Sequence, residues 1–343
     1  MAFFNSKDNA SSIEYVDAFP VHQKTHKQKR LWRWIGMGVA AIVIIVVVIV
    51  VAVVVTDNKK KSNTSVPYPI SPYSHMTKLV TNNDLSLQEK SRIFVLGDIH
   101  GCINELNKMV DKLNFNQTTD QLILAGDLTS KGPDSIGVIR RAKELGALCV
   151  RGNHDDKVVR FKTFQLQNGQ DAMKPAEARM PEGDVPDRLK FKNYHEPIAL
   201  NMTQEDYDYL SSCPVILHLP FLNNTVIVHG GLDPHIQSLQ DQVPYLVMNM
   251  RDIDGNNQPN IEVGTGTQWA TVYNSDQANS TTDDMMVFYG HDSKRGLNIK
   301  QTTFGLDSGC VYGNQLSAIN IRTKELTQIN CLTYAKKGGD SDD

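Results

Sequence analysis

The alternation of apolar and polar positions divides the chain into stretches of different character. Residues 1–34 are polar and carry no period, which predicts a disordered tail. Residues 35–55, IGMGVAAIVIIVVVIVVAVVV, hold no charge. At about 1.5 Å per residue this run makes roughly 31 Å of helix, enough to cross a bilayer core. A spanning backbone must satisfy its own polar groups, so a helix is expected despite the Val- and Ile-rich composition. From residue 78 short apolar runs alternate with amphipathic ones. Residues 92–96 (RIFVL), 121–125 and 147–150 read as buried strands. Ile103, Leu106, Met109, Val110 and Leu113 stand at helical spacing, and 135–145 and 154–164 also read as helices. Strand alternating with helix predicts an α/β domain. Residues 166–192 are polar and rich in Pro and Gly, the composition of an exposed loop or cap. Residues 215–219 and 225–228 predict a hairpin around Asn223-Asn224, and further strands are expected at 285–289, 315–321 and 326–331.

This pattern gives a cytosolic tail (1–34), a single transmembrane signal-anchor (35–55), a Pro-bearing linker (56–77), a catalytic domain (78–335) and a solvated tail (336–343). The apolar run is too long, and too far from the start, for a cleaved signal peptide. Lys24, Lys27, Lys29, Arg30 and Arg33 precede it, against Lys59, Lys60 and Lys61 after it, which places the N-terminus in the cytosol and the domain in a lumen. Asn-x-Ser/Thr sequons at Asn63, Asn116, Asn201, Asn223 and Asn279 agree with that side.

Composition narrows the function. The 343 residues carry 35 basic and 38 acidic groups, a net charge of −3, so there is no basic surplus to bind a nucleic acid. Five cysteines exclude a disulfide scaffold, and an odd number leaves at least one unpaired. Cys102, Cys149 and Cys213 lie in or beside apolar runs and read as buried thiols.

Chemistry concentrates where apolar strands end. Leu96-Gly97-Asp98-Ile99-His100-Gly101, Ala125-Gly126-Asp127-Leu128 and Arg151-Gly152-Asn153-His154-Asp155 each follow a strand, and His229 and His291 stand in similar settings. Every cluster has a glycine beside it, which permits a sharp turn or a close backbone approach. Ligands gather at the carboxyl ends of strands in such sheets. Asp98, His100, Asp127, Asn153, His229 and His291 offer only O and N donors, suited to Zn, Mn, Co or Fe. A core gains nothing from unpaired carboxylates and imidazoles, so their conjunction points to two divalent ions.

GDIHG (97–101), GDLTSKG (126–132), RGNHD (151–155), HGG (229–231) and GH (290–291) resemble, in order, the signature of the phosphoprotein-phosphatase group of calcineurin-like metallophosphoesterases, over about residues 90–320. The resemblance implies a four-layer α-β-β-α sandwich and hydrolysis of a phosphate bond by hydroxide shared between two ions. It implies Asp98 and His100 on the first ion, Asp127 bridging, and Asn153, His229 and His291 on the second. His154 resembles the acid that protonates the leaving oxygen, and Arg251 a phosphate contact. Two positions depart from the group: Lys131 replaces a phosphate-clamping Arg, and Ser130 replaces the Asp that orients the acidic His, so a different carboxylate is expected beside His154. Lys131-Gly132-Pro133 and the segment 289–313 look like the diadenosine-tetraphosphatase branch. Within it, an N-terminal membrane anchor joined to this catalytic domain most resembles the fungal vacuolar endopolyphosphatases. This implies cleavage of phosphoanhydride bonds in inorganic polyphosphate at a vacuole, with Lys294 and Arg295 as further polyanion contacts and Cys310 near the site. Dinucleoside-polyphosphate hydrolysis, Ser/Thr protein phosphatase activity and a non-catalytic membrane role are the alternatives.

Overall fold

A computed structural model of the chain describes residues 68–174, 178–277 and 285–336. The expected tail, the 35–55 span and the sequons at Asn63 and Asn279 lie outside these residues. Among the described residues no helix is long and apolar enough to cross a membrane. The other three sequon asparagines, Asn116, Asn201 and Asn223, are exposed.

In chain order the elements begin β1 (Leu79–Thr81), α1 (Leu85–Gln88), β2 (Arg92–Leu96), α2 (Ile103–Lys112), β3 (Asp120–Leu124), α3 (Ser135–Glu144), β4 (Leu148–Cys149) and α4 (Asn153–Asn168). There follow α5 (His195–Asn201), α6 (Gln204–Ser212), β5 (Ile216–Leu219), β6 (Thr225–Ile227) and α7 (Pro244–Asn249). Then come β7 (Asp252–Asp254), β8 (Pro259–Asn260), β9 (Gly266–Gln268) and α8 (Trp269–Gln277). The last are β10 (Val287–Tyr289), β11 (Asn298–Ile299), β12 (Thr303–Gly305), β13 (Gln315–Asn320) and β14 (Leu326–Asn330).

Two sheets carry the fold. One has the order β14-β13-β2-β3-β4, with β2, β3 and β4 parallel; the other runs β1-β5-β6-β10-β12-β11. The period-two burial of a strand sorts their side chains to two faces. Ile93, Val95, Ile123 and Val150 meet Leu217, Ile227, Phe288 and Phe304 between the sheets. Phe94, Leu96, Leu122 and Leu124 point outward and pack under α2, α3 and α4. On the other outer face Val226, Val228, Val287 and Tyr289 pack under α7 and α8, around Leu246, Trp269 and Tyr273. The layers are therefore helix, sheet, sheet, helix, as expected. The hairpin forms as well: β5 and β6 pair antiparallel, and Asn223 and Asn224 both take positive φ, at 48° and 50°.

Two expectations need correction. The 166–192 segment is more than an exposed loop, because α4 runs on to Asn168 and Met173, Met180, Glu182 and Leu189 are buried. Its polar composition is deceptive: the buried Arg160 guanidinium binds Glu182 at 2.7 Å and Asp187 at 2.9 Å. Cys149 and Cys213 are not buried thiols; they form one disulfide, and Cys310 and Cys331 form another. Each pair lies 5.2 Å apart at Cα, within bridging range. Cys102 remains a free, buried thiol.

Candidate metal centre

The site forms where β2, β3, β4, β6 and β10 end. Asp98 and His100 follow β2, Asp127 follows β3, Asn153 and His154 open α4, His229 follows β6 and His291 follows β10. Turning sharply there requires unusual backbone: His100, Asp127 and His291 take positive φ of 46°, 48° and 70°. Such conformations in non-glycine residues cluster at functional sites. The neighbouring glycines serve a second purpose. A Cβ on Gly152 would lie 2.1 Å from Asp127 Oδ1, and one on Gly290 would lie 2.0 Å from Asp98 Oδ1. Backbone passes so close to both carboxylates that no side chain has room.

Asp127 is central. Its Oδ2 lies 3.5 Å from His100 Nε2 and 3.3 Å from His229 Nε2, between the two rings. Its Oδ1 accepts from the His154 backbone N–H at 3.0 Å, so the positive end of α4 supports its charge. Donor atoms of Asp98, Asp127 and His229 lie within 4.8 Å of one another, as do those of His100, Asp127 and His154. Asn153 Oδ1 lies 3.0 Å from His229 Nε2.

The second layer of contacts tests whether this set suits metal ions. His100 Nδ1 donates to Thr129 O at 3.0 Å, and His229 Nδ1 donates to Ala125 O at 2.8 Å. His291 Nε2 donates to Asn249 O at 2.9 Å. Each imidazole therefore spends one nitrogen on a carbonyl, which orients the ring; a metal ion would take the other nitrogen in place of any proton it carries. That is the habit of metal-binding histidines. Asp155 holds the turns together: it accepts from Leu128 N, from Thr129 N and Oγ1, and from Gly152 N.

Electrostatics agree. Burial and the nearby Asp307 push the Asp98 carboxyl well above the usual range. Burial would also raise Asp127, but His229, His154 and His100 hold it well below. Burial would lower the His229 imidazole, yet Asp127 and Asp98 raise it to about 10. Burial and then Lys131 push His100 down to about 4. Buried carboxylates this close demand positive charge between them, and the donor set fits two divalent cations.

A cleft of about 570 Å³ lies over this centre. Of the expected substrate contacts, Lys131, Arg251 and Lys294 line it. Lys131 Nζ donates to Tyr312 Oη at 3.1 Å. Arg251 Nη1 donates to Ile261 O at 2.9 Å, while its buried Nε has no hydrogen-bond partner among the described residues. Arg295 is not brought there; its guanidinium is held by Asp252 at 2.6 Å and Asp292 at 2.7 Å. Ser130 is buried, and its hydroxyl donates to the adjacent Thr129 carbonyl.

Sequence reasoning missed two residues of the site. Asp307 lines the cleft, and its charge pushes the Asp98 carboxyl up; it follows the run Thr302–Leu306 and precedes Ser-Gly, the same strand-end signature as the other ligands. His195 stands beside His154, where a carboxylate was expected: His154 Nδ1 lies 2.8 Å from His195 Nε2 and 3.1 Å from Tyr194 Oη. No local signal marks it.

The profile of the calcineurin-like phosphoesterase family matches residues 91–295. Bis(5'-nucleosyl)-tetraphosphatase PrpE [asymmetrical] of Oceanobacillus iheyensis is 27% identical over 254 residues, which cover 69% of this chain and 92% of that protein. The symmetrical bis(5'-nucleosyl)-tetraphosphatase of Coxiella burnetii is 26% identical over 285 residues, 69% of this chain and 91% of that protein. A crystal structure provisionally assigned as a diadenosine tetraphosphatase superposes with a TM-score of 0.59 at 29% identity, over 75% of this chain and 99% of that one.

Proposed function

We propose that this chain, which belongs to the calcineurin-like phosphoesterase family, hydrolyses phosphoric anhydride bonds, with dinucleoside polyphosphates as the substrate class its relatives favour. The observation that carries the chemistry is Asp127 Oδ2 lying between His100 Nε2 and His229 Nε2, with Asp98 and Asn153 alongside. Asp98, His100, Asp127, Asn153, His229 and His291 would hold two divalent ions. When bound, such ions lower the pKa of water and neutralise phosphate charge.

The chain's own residues supply the rest. Lys131 offers its ammonium to a phosphate in the cleft as a point charge, steadied by Tyr312. Arg251 also lines the cleft and adds a second cation near a bound phosphate. His154, at the N-terminus of α4, is placed to give a proton to the leaving oxygen. Cys149–Cys213 and Cys310–Cys331 support an oxidising compartment for the domain, the lumenal side of the anchor read in residues 35–55.

A second substrate, inorganic polyphosphate, is favoured by one observation: Lys190, Lys192 and Lys294 are exposed along the cleft, a basic rim that a longer polyanion could follow. The test uses the full chain, reloaded with Mn or Zn, on diadenosine tetraphosphate, long-chain polyphosphate and a phosphoserine peptide. Both anhydrides should exceed the peptide in kcat/KM by about a hundredfold. Preference for the peptide would overturn the proposal. Replacing the three rim lysines by Ala should weaken polyphosphate more than the dinucleotide; equal effects would remove the second reading.

A further inference from the structure

His154 can act as an acid only if its ring is held with the donating nitrogen toward the cleft. In the structure two residues 40 and 41 positions further along the chain meet its Nδ1: Tyr194 Oη at 3.1 Å and, closer, His195 Nε2 at 2.8 Å. His195 opens α5, and its backbone N–H donates to Asn193 Oδ1 at 3.0 Å, as does that of Glu196 at 3.2 Å. That cap fixes the start of the helix. The His195 side chain is fully buried against α4. Its ring lies over that of His154, with centroids 5.1 Å apart and planes 27° apart, and the Tyr194 ring lies beside both, its centroid 4.1 Å from that of His195 and 6.1 Å from that of His154.

We propose that His195 is the positioning residue for His154: its Nε2 accepts the His154 Nδ1–H and so directs the Nε2–H of His154 into the cleft. The proposal rests on the phosphohydrolase reading above. His195 is suited to accept because burial, and then the neighbouring His154, keep its imidazole well below its ordinary pKa, and therefore neutral. With Nε2 accepting, its proton resides on Nδ1, a buried atom with no hydrogen-bond partner among the described residues. Leaving a donor unpaired in the interior is costly, so the arrangement persists for the bond on the other side of the ring. In the reaction a water oxygen bonds to phosphorus and gives up a proton to solvent, the P–O bond to the leaving group breaks with its electron pair on the leaving oxygen, and the His154 Nε2 proton passes to that oxygen. His154 is left neutral, with its Nδ1–H still donated to His195, and no proton moves onto His195. Proton donation of this kind matters most where the leaving oxygen is basic.

The experiment compares full-length wild type with His195→Phe and His195→Gln, each reloaded with Mn. The substrates are 2,4-dinitrophenyl, 4-nitrophenyl and phenyl phosphate. Phe retains the buried ring and removes the nearer acceptor, leaving only Tyr194 Oη at 3.1 Å; Gln returns a polar group to the position of Nε2. For His195→Phe, kcat should fall at least thirtyfold on phenyl phosphate and less than fivefold on the dinitrophenyl ester, with bound metal unchanged. His195→Gln should recover most of the loss. In a His154→Ala background, His195→Phe should change kcat less than twofold, since it acts only through His154. Equal loss on all three esters, or a full further loss in the His154→Ala background, would overturn the proposal. Should His195→Phe fail to fold, His195→Leu, which also removes the acceptor, decides in its place: leaving-group dependence steeper than wild type supports the role, and an unchanged dependence rejects it. A wild type inactive on every ester and anhydride would instead sink the phosphohydrolase reading.

Discussion

Replacing Gly152 by Ala sets two opposing effects against each other. Gly152 has φ −83° and ψ 167°, a conformation any residue adopts, so backbone freedom is not what selects glycine here. On that ground alone Ala should stabilise by about 0.4–1 kcal/mol, through a less flexible unfolded chain. The new methyl, however, would meet Asp127 Oδ1 at 2.1 Å and Asp127 N at 2.3 Å. One of the two is backbone, so no rotamer change relieves both. Reaching ordinary contact requires the turn and the carboxylate to separate by about 1 Å, and overpacking of this kind costs about 1–3 kcal/mol. The net effect is a destabilisation of about 1–2 kcal/mol, read by denaturant titration of the full chain. Activity should suffer more, because the displaced atom is the carboxylate shared by His100 and His229. A shift of about 1 Å at such a site removes about a hundredfold in kcat/KM. Gly255→Ala is the control, since a Cβ there meets nothing within 4 Å; it should leave activity unchanged and show only the stabilisation of about 0.4–1 kcal/mol. A Gly152→Ala protein that keeps its metal and acts within threefold of wild type would refute the steric argument.

Three further outcomes follow from the fold. Arg160→Leu leaves the buried Glu182 and the half-buried Asp187 without their cation, at a cost of about 3–5 kcal/mol, and should loosen the cleft wall; a lower Tm, proteolytic nicking within 178–192 and a rise in KM larger than the fall in kcat are expected. Joint Cys149→Ser and Cys213→Ser opens a loop of 64 residues and should cost about 4 kcal/mol by denaturant titration, whereas a change under 1 kcal/mol would argue that the bond does not form. Lys324 Nζ lies 4.8 Å from the centre of the Phe304 ring and 5.1 Å from that of Phe288, and burial lowers its amine to about 8. Between about pH 8 and its ordinary value the folded protein holds fewer protons there than the unfolded chain, so this group makes stability rise with pH across that window. Lys324→Met should flatten that rise, and an unchanged pH profile would count against it.

How far the sequence speaks depends on how local each feature is. Asp98, Asp127, His229 and His291 were legible because a strand running into a Gly-flanked turn is written in consecutive residues. Asp307 obeys the same pattern and could have been found by applying it once more. His195 could not, because its partnership with His154 depends on how α5 packs on α4. Likewise Cys149 and Cys213 read as buried thiols because pairing across 64 residues leaves no local trace. The 166–192 segment looked exposed because its acidic groups are polar in sequence; Arg160, on a different element, satisfies them in space. The short strands β7 to β9, β11 and β12 have only two or three residues each, too few to show a period. Arg295 sits beside His291 in sequence, yet Asp252 and Asp292 hold it away from the cleft.

The most direct measurement concerns the shared carboxylate. Full-length protein and its Asp127→Asn variant are stripped by a chelator, titrated with Mn, and followed for bound metal and for hydrolysis of diadenosine tetraphosphate in the same samples. The account predicts two ions per wild-type chain, with activity appearing as the second binds. It predicts loss of at least one ion and about a thousandfold loss of kcat in the variant, whose amide cannot supply the bridging charge. Wild-type activity that survives complete metal removal, or an Asp127→Asn protein that binds two ions and hydrolyses as wild type does, would contradict it.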